Sequence, residues 1–162
     1  MRIRALTALL ITLSLPAPLL ADTSFESAAL AQLTCASEPD PLPLLESLEA
    51  MGKLDPATLD SMDSVSCFPI TDGIELAGHT FTSICAFEDD PDIRAKRPDL
   101  LVRAPGTAPF EHVSFGSDEA LADIKTWYTT AIGPKHLTRA FETAEDSLDG
   151  KTHVVCSAMF PH

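Results

Sequence analysis

The sequence contains no asparagine, one glutamine, one tryptophan and one tyrosine. Without asparagine there is no N-glycosylation sequon and no Cys-His-Asn catalytic triad. The short signatures of common enzyme chemistry are missing too: no HExxH, no GxSxG elbow, no SxxK pair, no CxxC spacing and no glycine-rich phosphate loop occurs. No internal repeat or low-complexity tract is present. Beyond Leu20 no apolar run approaches the roughly 20 residues needed to span a bilayer.

Basic residues are scarce in one half only. Residues 22–93 hold fifteen acidic side chains against Lys53 alone, a net charge of −14, whereas residues 94–162 hold nine acidic and eight basic, a net −1. Such a field repels nucleic acid and anionic lipid and steers towards a cationic or protein partner. An acidic, solvated surface of this kind also serves solubility alone. The only basic concentration, Arg94, Lys96, Arg97 and Arg103, follows directly on the acidic run Glu88, Asp89, Asp90 and Asp92, so mutual neutralisation is expected. That acidic run lacks the spaced ligands and central glycine of an EF-hand loop.

What is present begins with Arg2 and Arg4 ahead of an apolar stretch from Ala5 to Leu20, then Ala21 and Asp22. This pattern reads as a secretory signal peptide over residues 1–21, with removal after Ala21. The remaining residues 22–162 are expected to form one domain, exported to the bacterial periplasm or the extracellular space and not membrane-bound after cleavage. The absence of asparagine and the abundance of alanine, aspartate, leucine and proline fit a GC-rich bacterial genome. Four cysteines, Cys35, Cys67, Cys85 and Cys156, remain in that segment, and an even number in an exported chain implies two disulfides. Four cysteines allow three connectivities. The expected one joins Cys35 to Cys67 within the helical part and Cys85 to Cys156 between neighbouring strands.

Periodicity divides the domain into a helical first part, 22–66, and a strand-rich part, 67–162. Thr23 with Glu26 forms a capping-box pattern for a helix reaching Cys35. Asp40 and Pro41 then start a second helix, with Leu44, Leu45 and Leu48 on one face and Gly52 as its stop. From Ile70 the period falls towards 2. A hairpin is expected across Ala77 to His79, with further strands at Leu100–Arg103, Phe110–Phe115, Leu137–Thr143 and His153–Phe160. A helix capped by Ser117, with Leu121, Ile124, Trp127 and Tyr128 as its buried stripe, should end at Gly133 and Pro134. The fold class is α+β, an antiparallel sheet of five or six strands with helices packed mainly on one face.

The five histidines, His79, His112, His136, His153 and His162, show no metal-ligand spacing. Alternation along the last strand places His153 on the face opposite Cys156, and so towards solvent. The sequence alone assigns no catalytic, cofactor-binding or metal-ligating residue and calls for no cofactor. The functional expectation is a non-enzymatic binding, inhibitory or accessory module. The alternative is a small hydrolase or metal-dependent enzyme whose histidines and carboxylates meet only in the fold.

Overall fold

The computed structural model describes residues 19–105, 110–132 and 140–158, with the backbone alone described for residues 19–23 and for Ala140. Two segments of the sequence with strong local signals behave as their chemistry dictates. Helix α2, Pro41–Ala50, begins with proline at its first position and buries Leu42, Leu44, Leu45 and Leu48. Asp40 makes no side-chain cap; instead the buried Gln32 side chain accepts the Asp40 N–H at 3.1 Å. Gly52 follows with φ 69°, the left-handed conformation that ends a helix. Asp55 then caps a single 3₁₀ turn, Pro56–Thr58, by accepting from the Ala57 N–H.

Helix α1, Leu19–Leu33, extends further back than the Thr23–Glu26 pattern indicates. The apolar and small residues upstream of Thr23 continue the helix, so the capping-box residues lie inside it. The expected cleavage point after Ala21 therefore falls within α1, while residues 1–18 lie outside the described residues.

The strands form one six-stranded antiparallel sheet, in the order β1-β2-β3-β4-β6-β5. They are β1, Asp60–Met62; β2, Val65–Leu76; β3, His79–Phe87; β4, His112–Ser117; β5, Ala140–Glu142; and β6, Thr152–Ser157. Strand structure thus begins before residue 67. The β2–β3 loop is the two-residue turn Ala77-Gly78, with φ of 49° and 74°, matching the twist of the strands it joins. Trp127 Nε1 donates to the Ala77 carbonyl at 3.1 Å and helps hold that non-glycine residue in its left-handed conformation. Between Pro69 and Ile74 the β2–β3 register shifts through a bulge at Asp72 and Gly73.

One sheet face is apolar. Phe68, Ile84, Ala86, Val113, Phe115 and Val154 join Ala29 and Leu33 of α1 and the leucines of α2 in one contiguous core. Full burial of a leucine or phenylalanine in such a core stabilises by about 1.5–3 kcal/mol. Helix α4, Leu121–Trp127, continues through a π turn, Tyr128–Ile132, and adds Ile124 and Tyr128. The Tyr128 hydroxyl donates to the Leu33 carbonyl at 3.2 Å, tying this helix to the end of α1.

Two local expectations are corrected. Ser117 completes β4 instead of capping a helix, and α4 starts at Leu121; the Ser117 hydroxyl still accepts the Glu119 N–H at 3.3 Å. Leu100 to Arg103 forms no strand. Leu100 and Leu101 are buried, but β2 is already paired on both sides, so the Val102 and Ala104 N–H groups bond to the hydroxyls of Ser66 and Ser64 instead of joining a ladder. The run Glu88 to Asp92 ends β3 and starts a one-turn helix α3, Pro91–Arg94, capped by Asp90.

Two disulfides are present, with the connectivity Cys35–Cys156 and Cys67–Cys85. The expected pairing fails for a topological reason. Strand β4 lies between β3 and β6, so Cys85 and Cys156 are not neighbours; Cys85 instead sits directly opposite Cys67 in the β2–β3 register. Cys156, on the helix face of β6, meets Cys35 just past the end of α1. Two disulfides are characteristic of an oxidising, exported environment.

Candidate functional site

The other sheet face is polar at its centre. Register sets Cys67, Cys85, Ser114 and Val155 in one row across the strands, and Pro69, Ser83, Gly116, His153 and Glu142 in the next. In β4 the sequence His112-Val113-Ser114-Phe115-Gly116 alternates polar or small residues with core residues, as a half-apolar strand requires. Its polar side does not face water. Ser114 and His153 are completely buried, and Ser83 is 1% exposed.

These side chains form a continuous hydrogen-bonded chain. His112 Nε2 lies 3.1 Å from Ser114 Oγ, which lies 3.0 Å from His153 Nδ1. His153 Nε2 lies 2.8 Å from Asp149 Oδ1, and the other carboxylate oxygen accepts a hydrogen bond from Ser83. Asp149 reaches the face from the loop between β5 and β6.

An ionised carboxylate only accepts hydrogen bonds, and that fixes the direction of every bond for neutral rings. His153 Nε2–H donates to Asp149, its Nδ1 accepts the Ser114 hydroxyl proton, and Ser114 accepts Nε2–H of His112. Burial by itself would raise the Asp149 carboxyl, but hydrogen bonds from His153 and Ser83 outweigh it and hold the group well below the usual carboxylate range. At the other end, burial and the neighbouring His153 ring push His112 from 6.5 down to about 4, so it is neutral near pH 7. Glu142, opposite His153 in β5, is raised by burial, an effect His153 partly opposes.

Gly116 makes room for the chain. A Cβ at this position would lie 2.2 Å from Ser83 Oγ and 2.6 Å from His153 Nε2. Cys85 adjoins the same cluster: one ligand atom each from Cys85, Asp149 and His153 lie within 4.8 Å of one another. With the Cys67–Cys85 bridge formed, the Cys85 sulfur is already covalently engaged.

The placement of His153 away from Cys156 holds, but its expected exposure does not, because Asp149 and the strands on either side enclose it. His79 belongs to a separate arrangement at the start of β3. Its ring stacks on Trp127 with centroids 4.8 Å apart, and Nε2 lies 3.4 Å from Ser117 Oγ and 3.8 Å from Glu119. His136 and His162 lie outside the described residues.

The three arginines of the basic segment are engaged internally, partly by residues other than those expected. Arg103 pairs with Asp89, and Arg94 donates to the carbonyls of Glu88 and Asp89. Arg97 binds Glu49 and Asp99, each at 2.7 Å. Hydrogen bonds from Arg97 hold the Asp99 carboxyl below its ordinary value.

A second feature is a groove of about 650 Å³ between the helices and the β2–β3 hairpin. Phe25, Met51 and Ile74 supply apolar surface, and the carboxylates of Glu26, Asp72 and Glu75 line it. Lys53, its one cation, donates to the carbonyls of Thr71 at 3.2 Å and Gly73 at 2.9 Å. Lys53 thereby fastens the bulge, and its one positive charge stands against three acidic residues in the lining. No family model matches the chain, and neither a characterised protein nor a solved structure shows similarity to it.

Proposed function

We propose that this protein is an exported, disulfide-stapled binding module that receives a cationic segment of a partner protein in the groove beside the β2–β3 hairpin, and that its compartment is the bacterial periplasm. One observation supports this reading above others: Glu26, Asp72 and Glu75 line the groove together with Phe25, Met51 and Ile74, three acidic groups against the single positive charge of Lys53. A lysine- or arginine-bearing segment with an apolar side chain is complementary in both respects. The excess of negative charge over residues 22–93 would steer such a segment towards this side.

A lysine-rich peptide with interspersed leucines is the direct probe, with its glutamate counterpart as control. Binding of the basic peptide should weaken steeply with added salt, and the combined variant Glu26→Gln, Asp72→Asn, Glu75→Gln should abolish most of it. Equal binding of the acidic peptide, or no response to neutralising the three carboxylates, would sink the proposal.

The enzyme reading has one observation in its favour, the Ser114–His153–Asp149 order of hydrogen bonds. Burial opposes it. Neither Ser114 nor His153 has exposed surface, and a nucleophile must be reached by its substrate.

A further inference from the structure

The chain of buried polar groups ends beside a disulfide, and the two together define a site that the groove does not involve. We propose that Cys67, Cys85, His153 and Asp149 form a zinc site whose availability is set by the redox state of the Cys67–Cys85 bridge. Ligand atoms of Cys85, His153 and Asp149 already converge within 4.8 Å. Cys67 is bonded to Cys85 and directly opposite it in register, so reduction releases two thiols at one place. Two thiolates, an imidazole and a carboxylate are a four-ligand set suited to tetrahedral zinc, and the thiolates select it over hard cations.

The surroundings suit ligands more than they suit a plain core. Ser83 donates to the Asp149 oxygen that faces away from His153, and Ser114 contacts His153 Nδ1. With Nε2 on the metal, Nδ1–H donates to Ser114, whose hydroxyl proton turns to His112 Nε2. His153 and Asp149 thereby each keep an outer partner that orients them. Gly116 leaves open the space that a side chain would take from His153 Nε2.

The reductant is a dithiol. Its thiolate attacks one sulfur of the bridge to give a mixed disulfide, and its second thiol closes a disulfide within the reductant. The dithiol loses two electrons and the bridge becomes two thiols. Zinc binding then displaces both thiol protons to solvent. Cys67 and Cys85 are 2% and 4% exposed, so the attack requires that β1, the three-residue edge strand with Asp60 opposite Cys67, first separate from β2.

The test is titration with cobalt(II), then zinc(II), of protein reduced with a phosphine and freed of it anaerobically, with oxidised protein as control. A Cys35→Ala, Cys156→Ala form removes the other two thiols. Reduced protein should take up one equivalent of cobalt, show thiolate charge-transfer and tetrahedral visible bands, and lose them to zinc; oxidised protein should show neither. His153→Gln should abolish the signature, and Ser83→Ala should weaken binding about tenfold. Absence of cobalt binding, the same spectrum in His153→Gln, or equal uptake by oxidised protein overturns the proposal. If reduction unfolds the chain, recovery of the native circular dichroism with one equivalent of zinc supports the site, and failure to recover overturns it.

Discussion

Acidifying the oxidised protein tests the buried face most directly, because His112 is neutral in the folded chain across a range where an unfolded imidazole takes a proton. Folding lowers its value from 6.5 to about 4. The unfolded state binds more protons between those limits, so the contribution of His112 is fully present above pH 6.5. It falls as pH drops through that interval and is lost below about 4. At about 1.4 kcal/mol per pH unit, the full excursion is roughly 3 kcal/mol. Glu142 and Glu111, raised mainly by burial, act with the opposite sign as pH falls. A single pH profile therefore mixes these three with the lowered carboxyls of Asp149, Asp99 and Asp118. The difference between wild type and His112→Gln isolates the imidazole, since glutamine keeps an N–H donor for Ser114 without a group that titrates here. Urea unfolding midpoints at several values from pH 7 to pH 4 provide the measurement, with constant slopes confirming a common two-state transition. The wild type should lose roughly 3 kcal/mol more than the variant over this range. Parallel profiles would refute the assignment of a buried neutral histidine.

Other outcomes follow from the same packing. Gly116→Ala should destabilise the fold by about 2 kcal/mol, because its methyl meets Ser83 and His153 well inside contact distance; a chemical-denaturation shift under a quarter of that would mean β4 can move aside. Peptide mapping without reduction should recover Cys35 linked to Cys156 and Cys67 linked to Cys85, and any linkage of Cys85 to Cys156 would contradict the strand order. Removing the Cys35–Cys156 bridge, with its separation of 121 residues, should cost about 5 kcal/mol, against about 3 for Cys67–Cys85 with its separation of 18. Equal losses in thermal unfolding would indicate that loop closure is not the controlling effect.

The sequence disclosed those elements whose signals are local. Asp40, Pro41 and Gly52 bracket α2, and β-rich runs on either side of Ala77-Gly78 mark the central hairpin. The α+β class and the antiparallel sheet follow from the change in period. The disulfide connectivity depends on strand order, which requires β4 between β3 and β6 and has no local signature. Ser117 carried a plausible cap signal that strand pairing to Thr152 overrode. The polar chain unites β3, β4, the β5–β6 loop and β6, so no spacing motif encodes it. Its one trace was the alternation His112, Ser114, Gly116 beside Val113 and Phe115. Parity alone placed His153 on the correct face, yet a face away from the core is solvent-facing only if nothing covers it, and Asp149 and the neighbouring strands do.

The position of β6 bears on how this molecule can be completed. It is the last strand of the described chain, yet it lies within the sheet, and its Cys156 closes onto the end of the first described helix. A growing chain that has produced everything before Thr152 has an open edge on β4, no partner for β5, no counterpart for Cys35 and no His153. Strands β1 to β4 can pair beforehand, but completion of the sheet must wait for this late segment, which alone joins β4 to β5. Until then the end of the first helix has no covalent tie to the sheet.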